Sequence, residues 1–378
     1  MRIIALILFF LVIISAGCSK HSNTNQQMET NKSVEQQPEI VDDMYVDNRT
    51  LLMRVAKKGM LDDAKEIIKE GADVNDEDRD GYTALMFAIL QGHYDMCKLL
   101  IDNGALINEK YKDGIKPILL AASAGQSEIF NLLIESGAEI GNEEKTRNIL
   151  LIKAAEGGSL AIIEKLKDLG ITYDLNYKSD YGETYLMAFS KGGLTNYIEE
   201  LLLNGCDINA TNNSGETALF YAAKNGKIDA VKLLIEKGIN INITDIFGVN
   251  ALYKTIDHEH YNGHYDIVKL LIDNGININA KIISSGSDAL YAAVCREYID
   301  FVSLLIENGA DVNSKNVYDG TALITAAESG YNDIVKLLID NGAEINFTNN
   351  KGKSALSIAK ENHNDKIVEI LKAAGAKE

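Results

Sequence analysis

Cations are in short supply along this chain. Lysine and arginine together number 37 against 55 aspartates and glutamates, a net charge of −18. A nucleic-acid partner requires clustered cations to neutralise its phosphates. No basic stripe offsets the acidic surplus, so nucleic acid is not expected as a partner. Tryptophan is absent and proline occurs only at Pro38 and Pro117. Cysteine occurs four times, at Cys18, Cys97, Cys206 and Cys295, and never in the close CxxC pairs of zinc or redox sites. Catalytic signatures are missing too. There is no GxSxG, no HExxH and no phosphate-cradling glycine loop after a strand. The carboxylates lie mostly in Asp-Asn-Gly and Glu-Asn-Gly turns or on solvated helix faces, with no isolated pair suited to acid–base work. These absences point away from an enzyme, and no cofactor is expected.

What is present suffices for a folded protein. Hydrophobic residues make up 46% and charged residues 24%. At 378 residues the chain exceeds the usual size of a single core, so it is either multidomain or an array. Its first residues read as an address. Met1-Arg2 gives a positive start, Ile3 to Ile14 is a twelve-residue apolar run, and Ser15, Ala16 and Gly17 precede Cys18. Such a run is too short to span a bilayer comfortably as a helix, and it fits a secretory signal. The ending ISAGC resembles the signal of bacterial lipoproteins. That resemblance implies a signal peptide over 1–17 and a lipidated Cys18. It places the protein in the cell envelope, anchored to a bacterial membrane and facing periplasm or exterior. Residues 18–46 are rich in Gln, Asn, Ser, Thr and Glu, and cannot bury enough apolar surface to offset the entropy of ordering. They are expected to form a disordered tether.

From 47 to 378 one phrase recurs: KLLIDNGALIN, ELLLNGCDIN, KLLIEKGININ, KLLIDNGININ, SLLIENGADVN, KLLIDNGAEIN. Its glycine falls at 71, 104, 137, 170, 205, 238, 275, 309, 342 and 375, which marks ten units spaced 33 to 37 residues apart. A second glycine lies about twelve residues earlier in most units. A third landmark opens them, as in DGYTALMFA, SGETALFYA and YDGTALITA. In unit six, Ala218, Leu219, Ala222 and Ala223 form one apolar stripe, and Ile228, Val231, Leu234 and Ile235 a second. Each helix pair is too small to bury its own stripe, so the units must stack. The first and last units are expected to be polar outside, through Lys57, Lys58, Asp62, Asp63, Lys360 and Lys366 among others.

This pattern resembles the ankyrin repeat, with TAL where that family most often has TPL. The resemblance implies an all-α solenoid of about ten helix-turn-helix units with projecting β-hairpin fingers. It further implies protein binding through a concave face made of fingertips and the edges of the inner helices. In this register that face comprises Arg79, Tyr82, Lys112, Ile115, Tyr181, Glu183, Ile246, Phe247, Val249, Val317 and Tyr318. The irregular units are the other places to look. The loop before Tyr181 is two residues longer and carries Tyr173 and Tyr177, and unit eight has Arg296-Glu297 in place of its glycine. Unit seven gains four residues in TIDHEHYNGH. Asp257, His258, Glu259, His260 and His264 there are metal-ligand types, but a solvated loop is the plainer reading and no metal site is assigned. The expected function is that of a membrane-tethered protein-binding scaffold. The alternatives are a secreted effector acting on a host protein, or a metal-binding protein using the unit-seven insert.

Overall fold

The landmark residues act as start and stop signals for short helices. We analysed the protein as a computed structural model describing residues 50–109, 115–141, 143–257 and 264–377. The signal and tether stretches, Lys112, and the insert residues His258, Glu259 and His260 lie outside the described residues. The Thr of TAL is an N-cap: Thr83 and Thr321 each accept a hydrogen bond from the amide three residues on, as do Thr184 of TYL and Thr50, Asn250, Asp288 and Ser354, whereas Thr217 holds the N-cap position without that bond. Each such cap contributes about 1 kcal/mol. In the third repeat Lys116 cannot cap in this way, and Pro117 at the first helical position supplies the preset backbone instead.

Twenty helices result among the described residues, and they fall into two compact units. Residues 50–213 carry α1 (Leu51–Lys58), α2 (Leu61–Lys69), α3 (Ala84–Gln91), α4 (Tyr94–Asp102) and α5 (Pro117–Ser123). They continue with α6 (Ser127–Glu135), α7 (Glu144–Glu156), α8 (Leu160–Asp168), α9 (Tyr185–Gly192) and α10 (Thr195–Leu203). Residues 214–377 carry α11 (Ala218–Lys224), α12 (Ile228–Glu236), α13 (Ala251–Ile256), α14 (Tyr265–Asp273) and α15 (Ala289–Cys295). The remainder are α16 (Ile299–Glu307), α17 (Ala322–Ser329), α18 (Asn332–Asp340), α19 (Ala355–Glu361) and α20 (Asp365–Ala373). Within each unit the odd-numbered helices pack side by side as an inner layer, each backed by the even-numbered helix that follows it.

The core lies between these layers. Ala88, Ala121, Ala122, Ala155, Ala222, Ala223 and Ala293 are fully buried and let inner helices approach closely, while Phe130, Phe189 and Phe301 fill the wider gaps. Each large side chain so buried is worth about 1.5–3 kcal/mol. Of the two stripes read from unit six, the first is fully buried. In the second, Val231 and Leu234 are buried and Ile228 and Ile235 are half-exposed at its margins. The end repeats expose Lys57, Lys58, Asp62 and Asp63, and at the other end Lys360 and Lys366. In the eighth repeat Glu297 takes the left-handed turn conformation that glycine occupies elsewhere, at φ 59°.

A side-chain ladder runs outside the helices. In six repeats the asparagine closing the phrase reaches the next repeat, donating from Nδ2 to a glycine carbonyl and accepting an amide at Oδ1. Asn75 bonds Gly104 and Leu106, Asn108 bonds Gly137 and Glu139, and Asn313 bonds Gly342 and Glu344. Asn242, Asn279 and Asn346 repeat the arrangement. Gly141 stands where the third repeat would carry this clamp, and Asp174 where the fourth would. There the joint is made by close helix contact instead. Glu156, its side chain only 7% exposed, holds both Lys153 and Lys191 at 3.0 Å, tying α7 to α9. A methyl group on Gly192 would come within 2.0 Å of the Ala155 carbonyl oxygen. Gly192→Ala is therefore expected to force α7 and α9 apart at a cost of about 1–3 kcal/mol. Hydrogen exchange should show the fourth and fifth repeats loosening before the second; uniform protection would contradict this.

Candidate protein-binding surface

The projecting loops, expected to be β-hairpins, contain no strand among the described residues. Their one antiparallel bridge pairs Thr348 with Ser354. The reason lies in the first residue of each tip. Asp245 donates its amide to the Val249 carbonyl at 2.8 Å, but the returning Val249 amide goes to Asp245 Oδ1, at 3.1 Å. The side chain thus takes the place that a ladder partner's carbonyl would hold. Asp245 Oδ1 also accepts from the Phe247 amide at 2.9 Å. The same two amides are captured by Asp78 (from Asp80 and Tyr82), Asn316 (from Tyr318 and Gly320), Asn349 (from Lys351 and Lys353) and, through its hydroxyl, Ser179. Each of these five tips is a closed side-chain-to-backbone turn, whereas the eighth closes through the backbone of Ile282, which donates to the Ser287 carbonyl and accepts from the Gly286 amide, both at 2.8 Å.

Adjacent tips are joined by their backbones. In residues 50–213 the Asn213 amide donates to the Tyr181 carbonyl at 2.9 Å. In residues 214–377 Ile246 donates to Ser214, Ile283 to Phe247, Val317 to Ser285 and Asn350 to Tyr318, at 2.8–3.2 Å. Gly248, at φ 83°, permits one of these approaches: a Cβ there would lie 2.8 Å from the Ile283 side chain and 2.9 Å from the Lys281 carbonyl. The second unit therefore presents a continuous row. Ile246 is 59% exposed, Phe247 50%, Ile283 75%, Val317 54% and Tyr318 65%. Beneath it Lys254 Nζ meets Asp245 Oδ2 at 3.0 Å and Glu216 Oε1 at 3.6 Å, bracing the seventh tip against its inner helix.

The family model described as ankyrin repeats (3 copies) matches residues 20–111, 52–144, 150–245, 243–316 and 314–377. The chain belongs to the ankyrin-repeat family. No curated protein matches it. Ankyrin repeats form interaction scaffolds, typically without enzymatic activity, and the surface of this chain can be considered in that light.

Of the expected binding residues, Arg79, Tyr181, Ile246, Phe247, Val317 and Tyr318 stand out on the ankyrin fingers as exposed side chains. Tyr82 is half-buried against Phe87, ring centroids 5.7 Å apart, and Glu183 and Ile115 are also half-buried. Val249 must be corrected. It is 3% exposed, because as the closing residue of its turn it points its side chain into the core while its amide serves Asp245. Ile283 is absent from the residues expected from the sequence, since its loop, KIISSGS at 281–287, is one residue longer than its sister loops and the register there is obscured. It is the most exposed of the five. The longer loop before Tyr181 also resolves into two roles. Tyr173 and Tyr177 turn inward, each 5.7 Å from the Tyr185 ring, and Tyr185 donates to Asn148 in the core, whereas Tyr181 stays 76% exposed. Aromatic packing thus supports the fourth repeat, which lacks the asparagine clamp.

Cys97 and Cys206 are structural thiols. Burial pushes Cys97 up to about 12 and Cys206, with help from Asp207, to about 11, so neither is a thiolate near neutrality. Alkylation of Cys97 at pH 8 should proceed only as the protein unfolds. The tip geometry carries a second expectation. Asp245→Ala orphans the Phe247 and Val249 amides and is expected to raise their hydrogen exchange and lower stability by about 1–3 kcal/mol. Asp245→Asn, which keeps an acceptor oxygen, should retain most of the protection. Equal exchange in both variants would show that the carboxylate does not organise the tip.

Proposed function

We propose that the protein is a membrane-tethered ankyrin-repeat scaffold that holds another protein on its fingertip side. The single observation that carries the reading is the exposure of bulky side chains, Ile246, Phe247, Ile283, Val317 and Tyr318, at consecutive tips joined by backbone hydrogen bonds. Apolar and aromatic residues gathered on one face mark a contact surface, and rigid supports lower the entropy lost on binding. The outer helices contrast with it, exposing Lys232 and Lys269 in local ion pairs with Asp229 and Asp273. Such pairs are worth little as contact energy. Tethering rests on the apolar run Ile3 to Ile14 followed by Ala16, Gly17 and Cys18. Two or more acyl chains at Cys18 would give stable anchoring, where one is marginal.

The two halves of the reading are tested separately. Cells fed labelled fatty acid should label the wild-type protein and not Cys18→Ser; equal labelling removes the anchor. In crosslinking pull-downs from native membranes, Tyr181→Ser, and separately Ile246→Ser with Phe247→Ser, should lose the captured protein with little change in melting temperature. Lys232→Ala with Lys269→Ala should keep it. The reverse pattern would put the binding face on the outer helices.

A further inference from the structure

The compensation for the two missing clamps is one-sided. Between the fourth and fifth repeats, side chains supply what Asp174 does not. Glu156 holds Lys191 at 3.0 Å, Lys145 meets Asp180 at 2.8 Å, and Tyr185 donates to Asn148 at 2.8 Å. Tyr173 donates to Glu200 and Tyr197 to Glu164, so the loop and both outer helices are tied as well. The joint between the third and fourth repeats differs. Among the described residues, no hydrogen bond or ion pair runs from 115–140 to 143–173. Arg147 Nε donates to the Gly141 carbonyl, but that bond is local to the connecting segment.

The tip is displaced there too. Gly71 is followed by α3 at Ala84, thirteen residues on, whereas Gly137 is followed by α7 at Glu144, seven residues on. The early start of α7 puts helix where the second and fifth repeats carry a tip. What remains at this joint is apolar packing and, at one end, bare backbone. Ile118, Ala121 and Ala122 of α5 and Leu151, Ala154 and Ala155 of α7 are buried. At the ends of these helices a Cβ on Gly157 would lie 2.3 Å from the Ala122 carbonyl oxygen, and one on Gly125 2.6 Å from the Gly157 oxygen. Apolar contact is non-directional, whereas a hydrogen bond holds an angle. Main chain touching main chain, at glycines with no side chain to interlock, makes a pivot. It lies away from the tips, because the short turn Gly157–Ser159 sends α8 back antiparallel towards its own loop.

We infer that the array bends between the third and fourth repeats, about the contact of Gly125 with Gly157. The joint opens and closes on the side where Gly141 stands in place of the clamp. The fourth and fifth repeats move as one block, held by the ties between them. A few residues at the ends of elements suffice to absorb a hinge motion. α7 has thirteen residues. A swing of about 10° at its glycine end moves the other end of a helix ~20 Å long by about 3 Å. The motion changes the spacing between the second tip, Asp78 to Tyr82, and the tip that carries Tyr181. Its use in seating a partner rests on the reading of the tips as a binding surface; the hinge itself does not.

The test uses the full chain in membranes, with spin labels on pairs of introduced keto amino acids so that the native cysteines stay untouched. Lys69, Asp102, Glu135, Asp168 and Leu203 are exposed and close α2, α4, α6, α8 and α10 in equivalent positions. Pulsed electron resonance reads the distance distribution of each pair. Asp102 with Asp168, and Glu135 with Leu203, straddle the hinge, whereas Lys69 with Glu135 does not. The two straddling distributions should be equally broad, and wider than the third by about 3 Å. Asn108→Ala removes the clamp between the second and third repeats, and should broaden the Lys69 and Glu135 pair to match. Equal widths in all three pairs of the otherwise unaltered chain overturn the hinge. So does a Glu135 and Leu203 pair broader than Asp102 and Asp168, or a Lys69 and Glu135 pair left narrow by Asn108→Ala. The widths are read without a partner, so a rigid joint with retained capture through Tyr181 removes the hinge and leaves the binding surface.

Discussion

A pair of helices of six to thirteen residues cannot bury the apolar side chains it carries, and everything else in this protein follows from that shortfall. Each pair is stable only when its Ala-rich inner face and its Leu- and Ile-rich outer face are covered by a neighbour. The array is therefore held by near-neighbour joints, and its stability is a sum of local terms. Most joints have two components, alanine-lined helix contact in the core and an asparagine clamp outside it. Where Gly141 and Asp174 remove the clamp, the protein compensates with a close helix approach at Gly192 and with the two-lysine grip on Glu156. Because that carboxylate is shielded from water, removing its lysines would leave a poorly compensated buried charge.

The fingers are a different problem, since they are short, polar and outside the core. A two-way hairpin ladder would have flattened them and left their edges open. Instead, at five tips, a single Asp, Asn or Ser at the base collects two backbone amides, and the tip is fixed before any partner arrives. The residues then presented are free to vary in chemistry without unfolding the support. This separation of support from display explains how Ile246-Phe247 and Asn350-Lys351 occupy equivalent turns. It also gives the tip row its continuity, because each rigid turn aligns one backbone donor with the carbonyl of its neighbour.

Much of this was legible in the sequence. The glycine spacing fixes the period and the number of units, the Thr of TAL marks where inner helices begin, and the apolar stripes give the core. The exposed candidates at Tyr181, Ile246, Phe247, Val317 and Tyr318 follow from register alone. The errors share one cause. Val249 and Ile283 sit close to a turn, where one residue of shift reverses whether a side chain faces core or solvent, and the additional residue in KIISSGS does not say which side chain then faces out. Period, helix ends and core positions are local properties of residue type, so the sequence alone determines them. Only the tertiary structure decided which tip residues face out and in what order, because that depends on where the Asp245 carboxylate sends two amides and on how each tip seats against the next.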